Sequence, residues 1–285
     1  MVHGYRSTVE QKNRKEMLDK KNFYINGKWV SPTEPRSYKV IDPSNEEACA
    51  EISLGGKKDV DKAVGAAKKA FSTWAFSKKE ERLELLEKLY VIYKKRWAEM
   101  AKLITLEMGA PMKFSTEMQA ATGASHIKSF KQILKDFKFE RDLGEEKNNQ
   151  KLLYEPKGVC ALITPWNWPI NQVNLKVIPA LASACTVVLK PSEIAPLSSM
   201  LLAEMIDEAK FPPGVFNLIN GDGAITGDAL TGHPDIDMIS FTGSTRAGAL
   251  ISKNAAKDFK RISLELGGKG ANIIFKDADS EAIAR

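Results

Sequence analysis

One carboxylate in the sequence stands in a setting that suits acid–base chemistry. Glu265 lies between Leu264 and Leu266, and a pair of glycines follows Leu266, in the stretch "LELGGKG". The apolar neighbours predict partial desolvation, which raises the pKa of a carboxyl group towards the range of a general base. A salt-bridged glutamate at the end of a strand fits the same pattern, so this stretch alone leaves both interpretations open.

A second candidate is Asn167, in the stretch "TPWNWP". Two tryptophans and two prolines surround it, so we expect a stiff backbone and a side-chain amide held in place. A fixed amide N–H is what an oxyanion hole requires. A turn asparagine between bulky residues is the alternative, and the local pattern favours it. Lys176 fits a solvated helix position equally well.

Two further motifs are suited to a nucleotide. In "FTGSTRAG", Gly243 would let the backbone approach a ligand, and Ser244 opens a helix whose free N–H groups favour a pyrophosphate. A plain strand-to-helix turn is equally compatible. In "LKPSE", Glu193 would hold ribose hydroxyls and Lys190 would add a donor. Such a glutamate would repel a ribose phosphate, which favours NAD over NADP, although a solvated turn is the better local interpretation.

Short apolar stretches recur along this part of the chain, and each of these motifs lies at the end of one of them. The apolar stretches are separated by helical stretches near 171–184, 196–209, 223–231 and 244–257. This alternation predicts a Rossmann-like α/β fold, in which a parallel sheet has helices on both faces. Ligands of such sheets bind beyond the carboxyl ends of the strands, where each motif falls. No G-x-G-x-x-G follows the first strand, so the fold would be a Rossmann variant. The five predicted strands are 159–163, 186–190, 215–219, 238–241 and 261–266.

The first half of the chain has a different pattern. We expect order to begin near Phe23 with a hairpin at Asn26-Gly27, followed by an irregular stretch. A helix with Asp59 as its N-cap comes next, then one with a Ser77–Glu80 capping box that ends at Gly109, and then one at 111–133. The polar stretch at 137–153 predicts a protruding β-hairpin.

Composition excludes several classes of function. The net charge is +6, but 42 Lys and Arg residues are interleaved with 36 Asp and Glu residues, which favours solvated faces over a nucleic-acid surface. No stretch approaches the roughly 18 apolar residues of a membrane span. Three scattered cysteines have neither metal-ligand spacing nor a pairing pattern, so we expect free thiols, no metal and a cytoplasmic location.

In order and spacing, "ITPWNWP", "LKPSE", "FTGSTRAG" and "LELGGKG" resemble the aldehyde dehydrogenase superfamily, from about Phe23 to the C-terminus. The resemblance implies that Asn167 is the oxyanion-hole asparagine and that Glu265 activates water for hydrolysis of a thioester. Gly270 departs from the family pattern, with little expected effect. The cofactor positions that the resemblance implies are Ile163, Thr164, Pro165, Trp166, Lys190, Ser192, Glu193, Gly223, Gly227, Phe241, Gly243, Ser244, Gly248 and Leu266.

The resemblance also implies an activity, the NAD-dependent oxidation of an aldehyde to a carboxylic acid. The family's nucleophile lies in a G-Q-x-C type loop that these 285 residues do not contain, and Cys49, Cys160 and Cys185 lack that motif. We therefore expect the N-terminal portion of such an enzyme. A catalytically inactive NAD-binding or interaction protein is the alternative, and a CoA-acylating relative is disfavoured because those enzymes typically lack the glutamate.

The expected organisation follows from the same resemblance. Residues 1–20 would form a polar extension, 21–136 and 154–268 the NAD-binding domain, 137–153 an oligomerisation hairpin, and 269–285 the start of the catalytic domain. The hairpin implies a homo-oligomer for the full-length form. Asn171, Gln172 and Asn174 are unusually polar for their helix face and favour a polar aldehyde.

Overall fold

The computed structural model describes residues 17–144, 150–279 and 281. The strands are β1 (Leu18–Lys20), β2 (Phe23–Ile25), β3 (Lys28–Val30), β4 (Ser37–Asp42), β5 (Glu47–Ser53), β6 (Glu140–Asp142), β7 (Lys151–Leu153), β8 (Val159–Ile163), β9 (Thr186–Lys190), β10 (Phe216–Leu218), β11 (Met238–Thr242) and β12 (Arg261–Glu265). The helices are α1 (Lys57–Trp74), α2 (Lys79–Lys95), α3 (Trp97–Met108), α4 (Met112–Phe114), α5 (Ala120–Asp136), α6 (Pro169–Ala182), α7 (Leu197–Glu208), α8 (Asp228–Thr231) and α9 (Thr245–Ala256), with π-helical turns at Ser115–Gln119 and Gly223–Gly227.

A seven-stranded sheet organises the fold, in the order β12-β11-β8-β9-β10-β2-β3. The strands from β12 to β10 run parallel, and the β2–β3 hairpin adds two antiparallel strands at one edge. Every residue of β8 and β9 is buried, which explains why these strands appear in the sequence as uninterrupted apolar runs. The predicted Rossmann-like α/β sheet is confirmed.

Helices cover both faces of this sheet. Alternate residues of β8 belong to two separate cores, with Leu162 on one side and Ala161 on the other. The first core contains residues of α2, α3, α5, α6 and α7, and the second contains residues of α1, α8 and α9. Burial on both faces anchors the central strands, so their carboxyl ends are held in constant positions.

The stretch expected to be irregular instead contains a second sheet, in the order β1-β5-β4. Strand β1 runs parallel to β5, so order begins before Phe23, within the stretch assigned to the polar extension. Strand β1 has three residues, and β4 and β5 carry charged residues at exposed positions, which leaves no apolar run to detect. Residues 1–16 of the predicted extension lie outside the described residues.

Two predicted helix starts are wrong. Helix α1 begins at Lys57, and Asp59 lies buried in its first turn, where its carboxylate accepts hydrogen bonds from the backbone N–H of Gly56 at 3.1 Å and of Thr33 at 2.8 Å. Ser77 forms no capping box, because its Oγ donates to the Trp74 carbonyl at 2.6 Å. Asp59 thus caps α1 from inside its first turn and also binds another segment at Thr33, whereas Ser77 binds the preceding helix.

The long second helix is two helices that meet at Arg96, whose φ and ψ of −98° and 16° interrupt the helical backbone. The Arg96 side chain binds Glu99 at 2.8 Å and Glu204 of α7 at 2.7 Å. Gly109 ends α3 at a φ of +76°, as predicted. Among the helices of the described residues, none is long and apolar enough to cross a membrane.

The two strands predicted at 137–153 are present as the antiparallel pair β6–β7. Residues 145–149 of the predicted turn lie outside the described residues. Three aromatic rings pack at the base of this pair, with the Phe137 ring 4.8 Å from Phe139 and 5.2 Å from Tyr154. These contacts attach the pair to the chain that follows α5.

Candidate functional site

A cleft of about 350 Å³ lies beyond the carboxyl ends of β8, β9 and β11. It is bounded on one side by the Gly223–Gly227 turn and on the other by α9. We call this cavity the cofactor cleft. Six of the predicted cofactor positions line it: Ile163, Lys190, Gly223, Gly227, Phe241 and Ser244. Residues that the sequence did not single out, among them Arg246 and Asn254, also line it.

A larger cleft of about 600 Å³ lies elsewhere, beside β1 and β3, and is lined by Lys20, Trp29 and Glu204 among others. Lys20 already pairs with Glu204 at 2.9 Å. Parallel sheets bind ligands at the carboxyl ends of their strands, so the cleft beyond β8, β9 and β11 is the candidate ligand site.

Lys190 joins the loops that follow two neighbouring strands. The residue is 4% exposed, and its Nζ donates to the Gly221 carbonyl at 2.5 Å and lies 3.6 Å from Oε2 of Glu193. Burial lowers the pKa of Lys190, and the Glu193 carboxylate acts in the opposite direction. Ser192 is also buried and accepts from the Ile194 N–H at 3.3 Å. The "LKPSE" motif is therefore a packed loop rather than a solvated turn.

Two glycines at the cleft make room for side chains of this chain. A Cβ atom at Gly243 would lie 2.4 Å from Cζ of Phe241, and one at Gly248 would lie 2.7 Å from Cδ2 of Leu266. Gly243 therefore accommodates an aromatic ring, which differs from the expected approach of ligand to backbone. At Gly223 an added Cβ would meet nothing within 4 Å, so open space remains at that side of the cleft.

Helical turns begin on both sides of the cofactor cleft. Ser244 is the N-cap of α9, as predicted, and its Oγ accepts from the Ala247 N–H at 3.2 Å. Asp222 caps the Gly223–Gly227 turn by accepting from the Ile225 N–H at 2.7 Å, and Arg36 binds the same carboxylate at 2.7 Å. The amide dipoles of α9 favour an anion at this edge.

The "TPWNWP" loop is held at its ends and open in its middle. Thr164 is buried and its N–H donates to the Lys190 carbonyl at 3.3 Å. Trp168 packs edge-on against Phe114 at 5.6 Å, and its Nε1 donates to Thr122 Oγ1 at 3.2 Å. Between these anchors Pro165 is half-buried and Trp166 is 49% exposed.

Asn167 and Glu265, which we call the reactive pair, are both exposed. Within the described part of the chain no hydrogen bond holds the Asn167 side chain, so the expected fixed amide is not found there. The expected desolvation of Glu265 is not found either, because β12 is an edge strand whose alternate residues face solvent. Leu266, its neighbour, is 41% exposed.

Lys176 is a buried lysine that the sequence did not distinguish from a solvated helix residue. It is 8% exposed rather than solvated, and its Nζ donates to Ser240 Oγ on β11 at 3.1 Å. Burial lowers the pKa of Lys176, while the carboxylate of Glu265 acts in the opposite direction. Its position inside the apolar run "VNLKVIPALA" is the signal that could have revealed it.

Two of the residues expected to favour a polar aldehyde, Asn171 and Asn174, form hydrogen bonds within the protein. Asn174 is buried, with Nδ2 donating to the Gly123 carbonyl at 2.9 Å, and Asn171 Oδ1 lies 2.7 Å from Nε2 of His126. These two residues therefore do not form the free polar face expected to favour a polar aldehyde. The described residues contain no group of three or more His, Cys, Asp or Glu that could hold a metal ion.

The cysteines are placed as structural thiols. Cys160 and Cys185 are 2% and 4% exposed, and their mutual hydrogen bond and burial raise the pKa of the Cys160 thiol. Burial raises the pKa of the half-buried Cys49 to about 11. A nucleophilic cysteine needs a lowered pKa and access to substrate. Cys49 and Cys160 have raised pKa values; the hydrogen bond with Cys160 lowers the pKa of Cys185 to about 6, but Cys185 is buried and has no access to substrate.

The fold and the cleft define a doubly wound α/β protein whose ligand site lies at the carboxyl ends of its parallel strands. The chain belongs to the aldehyde dehydrogenase family, since the sequence model of that family matches residues 29–285. Similar proteins include the 3-succinoylsemialdehyde-pyridine dehydrogenase of Pseudomonas sp, which is 51% identical over 270 residues, or 94% of this chain and 56% of that protein.

Solved structures of the family are also similar. An aldehyde dehydrogenase from Bartonella henselae is 60% identical with a TM-score of 0.92, over 94% of this chain and 56% of that one. A C291A mutant of aldehyde dehydrogenase C from Pseudomonas syringae, in complex with NAD+ and octanal, is 46% identical with a TM-score of 0.88, over 91% of this chain and 53% of that one. The chain thus spans about half the length of these relatives.

Proposed function

We propose that these residues form the NAD-binding part of an enzyme that oxidises an aldehyde to a carboxylic acid through a cysteine thioester. The observation that carries this proposal is the convergence of six predicted cofactor positions on one cleft at the strand ends. The Pseudomonas syringae structure, which holds NAD+ and octanal, supports it. NAD, when bound, accepts a hydride from the substrate.

The residues of the cofactor cleft fit a dinucleotide. The N-terminus of α9 at Ser244 would hold the pyrophosphate, and the loop after β9 would place Glu193 at the ribose hydroxyls. A carboxylate there repels a 2′-phosphate, so we propose a preference for NAD over NADP. Ile163, Phe241 and Leu266 supply apolar surface along the cleft and at its margin.

The reactive pair would act on the substrate side. Asn167 would donate its side-chain N–H to the substrate oxygen as negative charge develops there, and Glu265 would take a proton from the attacking water. The cysteine nucleophile would come from the family's G-Q-x-C type loop, which is absent from these 285 residues. We also propose that the complete enzyme is a cytoplasmic homo-oligomer to which the β6–β7 pair contributes.

A second candidate is a protein that binds NAD or a partner without oxidising anything. The burial of Cys160 and Cys185 favours it, because neither of these two thiols is accessible to a substrate. Both candidate functions allow NAD binding, but only the enzyme would oxidise an aldehyde.

Calorimetric titration and an activity assay test both. We expect the 285-residue chain to bind NAD more tightly than NADP and to produce no NADH with any aldehyde. The Glu193→Gln variant should show a smaller difference between its NAD and NADP affinities than the wild type. We expect the protein from its native source to oxidise an aldehyde, which would favour the enzyme over the second candidate. Steady turnover by the 285-residue chain that Glu265→Gln abolishes would contradict the assignment of the nucleophile to residues outside it.

A further inference from the structure

A buried carboxylate caps a helix to which it does not belong. Glu107 lies near the end of α3 and is 1% exposed. Its Oε1 accepts from the Ser198 N–H at 3.1 Å, and its Oε2 accepts from the Leu197 N–H. Leu197 and Ser198 are the first two residues of α7, and the residue at the N-cap, Pro196, has no side-chain acceptor. Glu107 therefore does from α3 what an N-cap side chain normally does locally.

The capped helix begins where the loop of the "LKPSE" motif ends. Residues 191–196 connect β9 to α7 and contain Ser192 and Glu193. Inside the loop, the Ile194 N–H donates to Ser192 Oγ at 3.3 Å and the Ala195 N–H donates to the Ser192 carbonyl at 3.2 Å. One end of the loop is thus held by the central strand β9, and the other by the bonds from Glu107.

Removal of this carboxylate has a local consequence. A buried N–H group that loses its acceptor costs about 1–3 kcal/mol, and water cannot readily replace the acceptor in a fully buried position. The first turn of α7 must then shift towards another acceptor or unwind. Either change moves the end of the loop, and Glu193 lies only three residues before the helix N-cap.

We infer that Glu107 is a positioning residue for cofactor binding: it holds the 191–196 loop so that the Glu193 carboxylate meets the ribose of the dinucleotide. This inference rests on the proposed NAD-binding function. Glu107 itself does not line the cofactor cleft. A role in stability alone would lower the population of folded protein and leave the ligand preference of the folded molecules unchanged.

The test uses ADP and 2′-deoxy-ADP, which differ in one ribose hydroxyl, in calorimetric titrations of the 285-residue chain. We expect the wild type to bind ADP about tenfold more tightly, the difference that one good hydrogen bond gives. In Glu107→Gln, whose amide cannot accept both N–H groups, this preference should fall to about twofold while 2′-deoxy-ADP affinity stays within about twofold. Glu99→Gln on the exposed side of α3 is the matched control and should keep the wild-type preference.

Three outcomes would overturn the inference. A folded Glu107→Gln variant that keeps the full preference leaves Glu107 without a positioning role. A wild type that binds NAD but does not distinguish the two nucleotides removes the ribose contact on which the inference depends. A wild type that binds no dinucleotide overturns the proposed function and the inference with it.

A measurement on the wild type covers the case in which Glu107→Gln does not fold. Amide hydrogen exchange in the segment 191–198 should slow by about tenfold when NAD binds, because ligand contact at Glu193 tightens a loop held at both ends. The segment 76–78, between α1 and α2, is the internal control and should not change. Unchanged exchange in 191–198, with protection elsewhere in the cofactor cleft, would contradict the inference.

Discussion

The cofactor cleft and the reactive pair lie at the same edge of one sheet but differ in how they are supported. Lys190 and Phe241 are buried in the cleft, and Ser244, although exposed, is bound to the backbone of its own helix. Asn167 and Glu265 are exposed, one in the open middle of a loop and the other at the end of an edge strand. Neighbouring strands and helices contact the residues of the cleft, whereas Asn167 and Glu265 have few such contacts.

This difference separates two requirements of a dehydrogenase. Holding a cofactor needs a shaped surface, which packed strands and glycines can build from local contacts. Tuning a general base or an oxyanion donor needs desolvation and fixed geometry, and an exposed side chain has neither. Substitutions should therefore affect stability and NAD affinity strongly around the cleft and weakly at the reactive pair.

The largest effect is expected at Glu107, which supports the cleft from α3. Burial raises its pKa to about 7 from a usual 4.5. Because the folded state then holds this proton more tightly than the unfolded state, the contribution of Glu107 to stability is greatest below pH 4.5 and falls as the pH rises to about 7. Relative to Glu107→Gln, the free energy of unfolding of the wild type should fall by about 3 kcal/mol across that window.

Urea denaturation of both proteins between pH 4 and 8 measures this difference. Glu99→Gln, at an exposed position, should show no comparable dependence. A difference between wild type and Glu107→Gln that is constant with pH would contradict the expected titration.

A smaller effect is expected from filling the space that Gly243 leaves. In Gly243→Ala the new methyl group would meet the Phe241 ring at 2.4 Å, and displacing a packed ring costs about 2 kcal/mol. NAD affinity should fall by about tenfold or more, because Phe241 lines the cleft. Gly268→Ala, three residues after Glu265 and with nothing within 4 Å of the added Cβ, is the control and should stay within about 0.5 kcal/mol of the wild type. Equal losses in the two variants would remove the contrast between the regions.

The ion pair between Arg36 and Asp222, next to the Gly223 turn, should contribute less to the free energy of unfolding than the packing at Gly243. Arg36→Ala removes the 2.7 Å contact with Asp222 and the bond to the Gly55 carbonyl, and we expect thermal unfolding to report a loss of about 1 kcal/mol. Lys58→Ala breaks a pair with Glu34 of similar length in which both side chains are largely exposed, so it should lower stability less than Arg36→Ala does. A larger loss in Lys58→Ala than in Arg36→Ala would be inconsistent with this ranking.

The smallest effects are expected at the reactive pair. Asn167→Ala and Glu265→Gln should each change the free energy of unfolding by less than about 0.5 kcal/mol, since exposed side chains with few partners contribute little. Their NAD affinity should remain within about twofold of the wild type in parallel titrations. A loss as large as that of Gly243→Ala would mean that the pair supports the cleft after all.

Burial explains which parts of the fold were predictable. The five parallel strands were predicted to within one residue at each end. Strands β8 and β9 are buried on both faces and therefore appear in the sequence as largely apolar runs. Strands β1, β4 and β5 were missed, since short or partly exposed strands depend on pairing with distant residues. The break at Arg96 likewise depends on Glu204, which lies more than one hundred residues away.

The sequence predicted that the motifs lie together at one edge of the sheet, but it did not predict the environment of their residues. Parallel topology placed the motifs at one edge, as the cofactor cleft shows. Sequence neighbours could not show that β12 is an edge strand and leaves Glu265 exposed, or that Lys176 turns inward to Ser240. The bonds from Glu107 to α7 join residues about ninety positions apart, so no local pattern indicates them.

A crystal structure of the 285-residue chain with NAD tests the central claim most directly. We predict density in the cofactor cleft, with a ribose within hydrogen-bonding distance of the Glu193 carboxylate and the pyrophosphate at the N-terminus of α9. NAD bound elsewhere, for example in the larger cleft beside Trp29, would contradict the account, as would a pyrophosphate distant from Ser244.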